Sequence, residues 1–208
     1  MKFTDLTARK QFANPFPHFQ CQRAVSEDSE RKLIDWLEHQ APWKLKIADF
    51  YEQYEFSLFD CELPTELAFL TDTEAVSEIR EALEESFDAK LSLHYDATVH
   101  KLVPGQVIKV HNDYIPGLET HRLLIQLNTE WTAENGGLLL LFSGPTPDDL
   151  VKALLPQSAS AFGFEISPAS HHAVTPVVSG HRFTIVYSFY PPEKDEPSSI
   201  DALAAVAH

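Results

Sequence analysis

The sequence predicts a mainly β fold with flanking helices, in which short strands build a sandwich or barrel such as a jelly roll. Two observations support this prediction of the fold class. After residue 90 the apolar pattern changes from helical to extended spacing, and Pro and Gly turn signals then separate several short strands. Two amphipathic segments precede this region. With 208 residues, the chain is long enough for one sizeable core and short for two ordinary domains.

Two helices are expected in the first 90 residues, over about 26–40 and 72–88. Ser26 is a candidate cap for the first helix, and Thr71 followed by Glu74 resembles a capping box for the second. The apolar stripes consist of Leu33, Trp36 and Leu37 in the first helix and Val76, Ile79, Leu83 and Phe87 in the second.

Nine strands are expected, near residues 44–48, 54–60, 91–102, 106–113, 121–128, 137–143, 159–165, 172–178 and 181–189. We therefore expect a single domain over residues 1–190, with a helical N-terminal part (1–90) and a β-rich core (91–190). A polar, proline-rich stretch opens the C-terminal tail at 191–208.

Composition narrows the function classes. The net charge of −15 disfavours binding to nucleic-acid phosphates. Two cysteines 40 residues apart, Cys21 and Cys61, argue against a disulfide framework. Neither a signal-peptide pattern nor an apolar run approaching 18 residues is seen, so we expect a cytoplasmic protein without a membrane partner. The oligomeric state stays open.

One short motif and a distant histidine point to a metal site. In a strand, residues i and i+2 share a face, so His111 and Asp113 should project together while Asn112 faces away. His172 follows 59 residues after Asp113 and would complete a site of two histidines and one carboxylate, which is typical of non-haem Fe(II) oxygen chemistry. The neighbouring His171 is a competing third ligand.

An arginine ten residues after His172 adds an anion site. In the strand RFTIVYSF, one face carries Arg182, Thr184, Val186 and Ser188, and the other face is entirely apolar or aromatic. A buried guanidinium is costly without an anionic partner, and it binds a carboxylate through two parallel hydrogen bonds. Arg182 and Thr184 therefore predict a carboxylate-binding pair inside the barrel.

The ordered set of HND at 111–113, His172 and Arg182 resembles the Fe(II)/2-oxoglutarate-dependent oxygenases, in the prolyl-hydroxylase-like branch. The surrounding segments VPGQVIKVHND, RLLIQLN, ENGGLLLLF and HAVTPVVSGHRFTIVYSF strengthen the resemblance, which covers most of residues 14–190. It implies a double-stranded β-helix buttressed by the N-terminal helices, with the iron between its sheets.

The resemblance also implies roles. His111, Asp113 and His172 would bind Fe(II), Arg182 would pair with the distal carboxylate of 2-oxoglutarate, and Thr184 would donate a hydrogen bond to it. Dioxygen would be the other cosubstrate, and ascorbate is a candidate reductant. The reaction would hydroxylate an unactivated C–H bond of an amino acid, peptide side chain or small metabolite, releasing succinate and CO2.

Two features qualify the implied outcome. Halogenating relatives lack the carboxylate ligand, so Asp113 favours hydroxylation. Leu102 stands where prolyl hydroxylases commonly carry a tyrosine, so a peptidyl-proline substrate is not implied. The alternatives are a cupin-like metal enzyme that does not use 2-oxoglutarate, for which Arg182 would have no role, and a non-catalytic jelly-roll protein that binds a ligand.

Four further residues are candidates for substrate contact. Arg122 and Gln126 alternate with apolar residues on the strand near 121–128 and could face the cavity. Lys109 should share the face of His111, and Tyr114 follows the HND motif, so both are expected at the pocket mouth.

Overall fold

The structure is a computed structural model, and it describes residues 3–192; the expected tail lies outside the described residues beyond position 192. Two α-helices, α1 and α2, span Glu27–His39 and Thr73–Phe87. Twelve strands, β1 to β12 in chain order, span Lys10–Phe12, His18–Cys21, Lys44–Ile47, Glu52–Ser57, Tyr95–Leu102, Ile108–His111, His121–Gln126, Leu139–Phe142, Leu150–Leu154, Ala161–Glu165, His172–Val174 and Arg182–Phe189. Among the described residues, no helix combines the length and apolar character needed to cross a membrane.

The strands form two sheets, which confirms the mainly β architecture. The larger sheet has eight strands in the order β1-β2-β10-β7-β12-β5-β4-β3, and the smaller has four in the order β6-β11-β8-β9. All named strand pairs are antiparallel. The central strand β12 is buried along its whole length because side chains cover both of its faces.

The two helices cover one face of the larger sheet. Ser26 caps α1 as expected, its side chain accepting a hydrogen bond from the Ser29 N–H. The cap of α2 is Asp72 instead of Thr71, because the Asp72 Oδ1 accepts from two backbone N–H groups at the helix start, at 3.0 and 3.1 Å. Both predicted apolar stripes pack into the main core beside the outward-facing residues of β5, β7 and β12.

A second apolar cluster lies between the two sheets. It contains Leu124 and Val186 from the larger sheet and Leu139, Leu141 and Val174 from the smaller one. Because side chains alternate across a strand, β5, β7 and β12 each give one set of residues to the helix side and the other set to the space between the sheets. The functional cavity opens in that space.

Sequence periodicity missed β1, β2 and β9. These strands have three to five residues, and the sequence analysis assigned no strand to their positions. The N-terminal part is also less helical than expected, since β1 to β4 all belong to the larger sheet. Residues 1–90 therefore supply half of the strands of the sheet that carries Arg182.

Candidate active site

A cavity of about 500 Å³ lies between the sheets. Its floor consists of inward-facing residues of β4, β5, β7 and β12, and its opposite wall comes from β6, β8 and β11. The polar lining comprises Lys46, Gln53, Glu55, Asp96, Thr98, His100, His111, Asp113, Glu119, Arg122, His172, Arg182, Thr184 and Ser188. The sequence-predicted triad and Arg182 thus open into one space.

Strand pairing brings the two histidines together. His111 ends β6 and His172 begins β11, and these two residues are direct partners in the ladder. Their rings lie 4.2 Å apart between centroids. One ligand atom each from His111, Asp113 and His172 lies within 4.8 Å of the others, a separation that suits a single metal ion.

Both imidazoles are oriented by a backbone carbonyl two residues earlier. The Nδ1 of His111 lies 2.9 Å from the carbonyl of Lys109, and that of His172 lies 2.8 Å from the carbonyl of Ser170. A carbonyl only accepts, so each Nδ1 carries the proton and each Nε2 keeps a lone pair. Both Nε2 atoms face Asp113, at 3.4 Å from its Oδ1 and 3.2 Å from its Oδ2 respectively.

Asp113 reaches the site by a route that strand alternation does not predict. Strand β6 ends at His111, and Asp113 lies beyond it with a φ of +59°. Aspartate tolerates this left-handed conformation better than most residues. The prediction that both residues share a strand face is therefore wrong in its reasoning, because a sharp backbone turn after His111 brings the carboxylate back towards the imidazoles.

The charges at the triad favour metal binding. Burial opposes ionisation of Asp113, but the positive charge of Arg122, together with the adjacent His111 and His172, holds the pKa of this carboxyl well below its ordinary value. Burial, helped by the neighbouring His111, lowers the pKa of His172. An ionised carboxylate beside a neutral imidazole is the state that a divalent metal requires.

Arg182 is buried and incompletely paired. Its Nε donates to the carbonyl of Gly137 at 2.8 Å and its Nη1 to the hydroxyl of Thr184 at 2.8 Å. Its Nη2 is buried without a hydrogen-bond partner among the described residues. Burial lowers the pKa of Arg182 to about 10, so the guanidinium stays charged at neutral pH. A buried cation with a free N–H in a cavity wall fits an anionic ligand.

Thr184 supports this arginine. Its hydroxyl accepts from Arg182 and donates to the Oε1 of Gln126 at 3.0 Å, so its single proton is already used. Gln126 does not belong to the cavity lining. The structure therefore places Gln126 behind Thr184, where it orients the hydroxyl and does not contact the cavity.

The other three candidates take different positions. Arg122 lines the cavity, and its guanidinium donates to Asp113 at 2.5 Å, Glu119 at 2.8 Å and Ser188 at 3.1 Å. Lys109 is exposed and points to the carbonyl of Asp49. Strand β6 pairs with β11 through His111 opposite His172 and Ile108 opposite Val174, and the register shifts between these two pairs. Ile108 therefore faces the cavity in the place expected for Lys109.

Tyr114 is half exposed and is not part of the cavity lining, whereas Ile115 of the same loop is. Sequence reasoning also missed Gln53, Glu55 and His100. The alternation of Asp96, Thr98 and His100 on β5 could have revealed the last of these, because that strand pairs with β12 in register.

The comparisons with known proteins agree with this geometry. Residues 97–189, just under half of the chain, match the sequence model of the 2OG-Fe(II) oxygenase superfamily. No curated protein sequence matched the chain.

Solved structures share the fold. The prolyl-4-hydroxylase of Pseudomonas putida superposes with a TM-score of 0.68 at 17% identity, over 90% of this chain and 96% of that one. The viral collagen prolyl hydroxylase of Paramecium bursaria Chlorella virus-1, in complex with 2OG, gives a TM-score of 0.60 at 16% identity, over 84% and 96%. A prolyl hydroxylase from Trichoplax adhaerens, bound to a peptide fragment of hypoxia-inducible factor, gives 0.63 at 11% identity, over 92% and 87%.

The fold, the family match and the clustered site define a 2-oxoglutarate-dependent dioxygenase. Residues 97–189 resemble the 2OG-Fe(II) oxygenase superfamily, and the fold is shared with solved prolyl hydroxylases. The cofactors are Fe(II), 2-oxoglutarate and O2. The residues present fit these groups, because two imidazoles and a carboxylate form a suitable ligand set and the Arg182 Nη2 lacks a partner.

Proposed function

We propose that His111, Asp113 and His172 bind the ferrous ion, that Arg182 binds the distal carboxylate of 2-oxoglutarate, and that the enzyme hydroxylates a C–H bond of an amino acid, peptide side chain or small metabolite. One observation carries the proposal. The three candidate ligand atoms lie within 4.8 Å of one another, and Arg182, whose Nη2 is unpaired, lines the same cavity. A cupin-like enzyme that does not use 2-oxoglutarate would leave that nitrogen without a purpose, and a passive binding protein would form no succinate.

When bound, the ferrous ion, 2-oxoglutarate and O2 would supply the oxidation: one oxygen atom of O2 would end in succinate as the keto acid loses CO2, and the other in the hydroxyl group of the substrate. The chain's residues position these groups. The Lys109 and Ser170 carbonyls fix the two imidazoles, each with Nε2 towards the metal site. Arg122 anchors the Oδ2 of Asp113, which limits rotation of this carboxylate.

Apolar side chains complete the enclosure. Leu124, Leu139, Val174 and Val186 line the cavity between the polar groups, and the ring of Phe50 stacks on that of His111 at 4.6 Å. These contacts reduce the access of water to the proposed metal ligands, which strengthens the electrostatic interactions inside the cavity.

The metal assignment is tested by anaerobic titration with Fe(II) and 2-oxoglutarate, followed through the weak visible charge-transfer band. Wild-type protein should develop the band, and Asp113→Ala and His172→Ala should abolish it. His171→Ala is the matched control, since His171 is adjacent in sequence but belongs neither to the metal cluster nor to the cavity lining. Its band should keep full intensity.

Retention of the band by His172→Ala together with its loss in His171→Ala would reverse the assignment of the third ligand. No band in wild-type protein would reject the proposed use of 2-oxoglutarate. Direct metal analysis of each variant separates loss of metal from loss of the cosubstrate.

A further inference from the structure

Gln53 is a buried glutamine in the cavity wall that the proposed chemistry does not use. It lies on β4, is 3% exposed and lines the same cavity as the metal ligands. On β3 its ladder partner is Lys46, which lines the cavity as well. The side-chain oxygen of Gln53 is buried and has no hydrogen-bond partner among the described residues.

The neighbouring carboxylate fixes the orientation of the Gln53 amide. The Nε2 of Gln53 lies 2.8 Å from the Oε2 of Glu55, and the other carboxylate oxygen accepts from Lys46 at 2.6 Å. An ionised carboxylate only accepts, so the amide must present its nitrogen to Glu55 and leave its oxygen unpaired. A flipped amide would place two acceptors against each other.

Glu55 is ionised in this arrangement. Burial raises the pKa of its carboxyl, but the hydrogen bonds from Lys46 and Gln53 outweigh burial and lower it below the ordinary value. His100, the β5 ladder partner of Glu55, is a neutral imidazole at pH 7, because burial lowers its pKa to about 4. The Nε2 of this imidazole lies 3.1 Å from the Thr98 hydroxyl, and the Gln53 oxygen has no hydrogen-bond partner among the described residues.

The cavity lining carries a net negative charge, which favours the same kind of ligand as the unpaired Gln53 oxygen. This lining holds four carboxylates, from Glu55, Asp96, Asp113 and Glu119, and three cations, from Lys46, Arg122 and Arg182. The charges of Fe(II) and dianionic 2-oxoglutarate cancel, so the loaded cavity keeps an excess of one negative charge. A ligand with one positive charge and N–H donors would balance this charge.

Resting on the proposed function, we propose that Gln53 is a specificity-determining residue and that the substrate carries an amine, whose ammonium N–H donates to the Gln53 Oε1. Glu55 strengthens the interaction by holding the amide in this orientation and polarising it. This assignment narrows the substrate class to amine-bearing molecules, such as a free amino acid or the amino group of a peptide.

The proposal is tested by binding, without turnover. The protein is loaded with diamagnetic Zn(II) and 2-oxoglutarate, and saturation-transfer NMR measures its affinity for the amides of L-proline, L-leucine and L-phenylalanine, each paired with its N-acetyl form. At least one free amine should bind tenfold or more tightly than its acetylated partner. In Gln53→Leu this preference should fall below threefold.

Two variants control the result. Gln11→Leu makes the same chemical change on the exposed strand β1 and should leave the preference intact. If Gln53→Leu does not fold, Glu55→Gln replaces it, since the new amide can donate to the Gln53 oxygen and should also reduce the preference.

Equal binding of amines and acetylated partners, no binding of any probe, or an unchanged preference in Gln53→Leu would overturn the proposal. Binding of 2-oxoglutarate is measured first in the same samples. If it binds and only the amine preference fails, the error lies in the Gln53 subsite; if it does not bind, the proposed function fails instead.

Discussion

Replacing Arg182 by methionine should separate a ligand-binding arginine from a structural one. The side chain is 3% exposed and makes two internal hydrogen bonds, while its Nη2 is unpaired. Arg182→Met keeps a long side chain in the same volume but removes the charge. If the guanidinium serves the cosubstrate, its loss should affect 2-oxoglutarate far more than the metal.

The expected magnitude follows from the contacts. A hydrogen bond to a charged group contributes about 1.5–3 kcal/mol, so losing the carboxylate contact should cost roughly 3 kcal/mol. Since 1.4 kcal/mol corresponds to a tenfold change, the Kd for 2-oxoglutarate should rise on the order of a hundredfold. Removing the buried charge relieves its desolvation cost, whereas loss of the two internal hydrogen bonds costs roughly 1 kcal/mol each, so the two effects oppose each other and the Tm without ligand should change little.

The assay is calorimetric titration of 2-oxoglutarate into Zn(II)-loaded wild-type and Arg182→Met protein, with thermal unfolding of both apo forms. A Kd within threefold of wild type would refute the assignment of Arg182 to the cosubstrate. Parallel losses of metal affinity, 2-oxoglutarate affinity and Tm would show that this arginine stabilises the fold and has no specific role in binding.

Three more perturbations have defined outcomes. Gly137 has a φ of +63°, and an added Cβ would lie 2.9 Å from the Arg182 Cδ. Gly137→Ala should therefore displace the guanidinium and raise the Kd for 2-oxoglutarate about tenfold, as measured by the same calorimetric titration. Burial lowers the pKa of His121 to about 4, so between about pH 6.5 and pH 4 this histidine binds a proton in the unfolded chain but not in the folded one. The free energy of unfolding of the wild type therefore falls as the pH drops through this range. His121→Phe should lessen that fall by up to ~3 kcal/mol, as measured by urea titrations at several pH values. The Tyr187 hydroxyl donates to the carbonyl of Leu70 at 2.9 Å in the main core, so Tyr187→Phe should cost about 1 kcal/mol of unfolding free energy without changing 2-oxoglutarate affinity. A Gly137→Ala protein with wild-type affinity, a His121→Phe protein with an unchanged pH slope, or a Tyr187→Phe protein as stable as wild type would each contradict its premise.

The strand that carries Arg182 shows what sequence patterning can predict. Its eight residues alternate between an apolar face and a face with Arg182 and Thr184, and the structure buries the first face against the helices and opens the second to the cavity. Strand alternation is a local property, so it is readable without a fold. The helices are similar, since their apolar stripes and the Ser26 cap depend on residues within a few positions of each other.

The errors occur where the backbone departs from regular geometry. A register shift in β6 turns Ile108 towards the cavity and leaves Lys109 exposed. The left-handed backbone conformation at Asp113 brings a carboxylate to the two imidazoles of the proposed metal site from outside the strand. Periodicity assumes a regular strand, so neither event is visible in it.

Sequence alone therefore determined the class of fold and the polar face of the arginine strand, and it selected the residues of the proposed metal site. The tertiary structure decided which groups meet across strands that are distant in the chain. Gln53 and Glu55 come from the N-terminal half, yet they share a cavity with His172 and Arg182 because β4 joins the same sheet as β12. Tertiary structure also decides the pairing of Arg122 with Asp113 and the orientation of the Gln53 amide, whose nitrogen donates to Glu55 and whose oxygen is left unpaired. The reason is that hydrogen bonds between side chains need contact in space and not proximity in sequence.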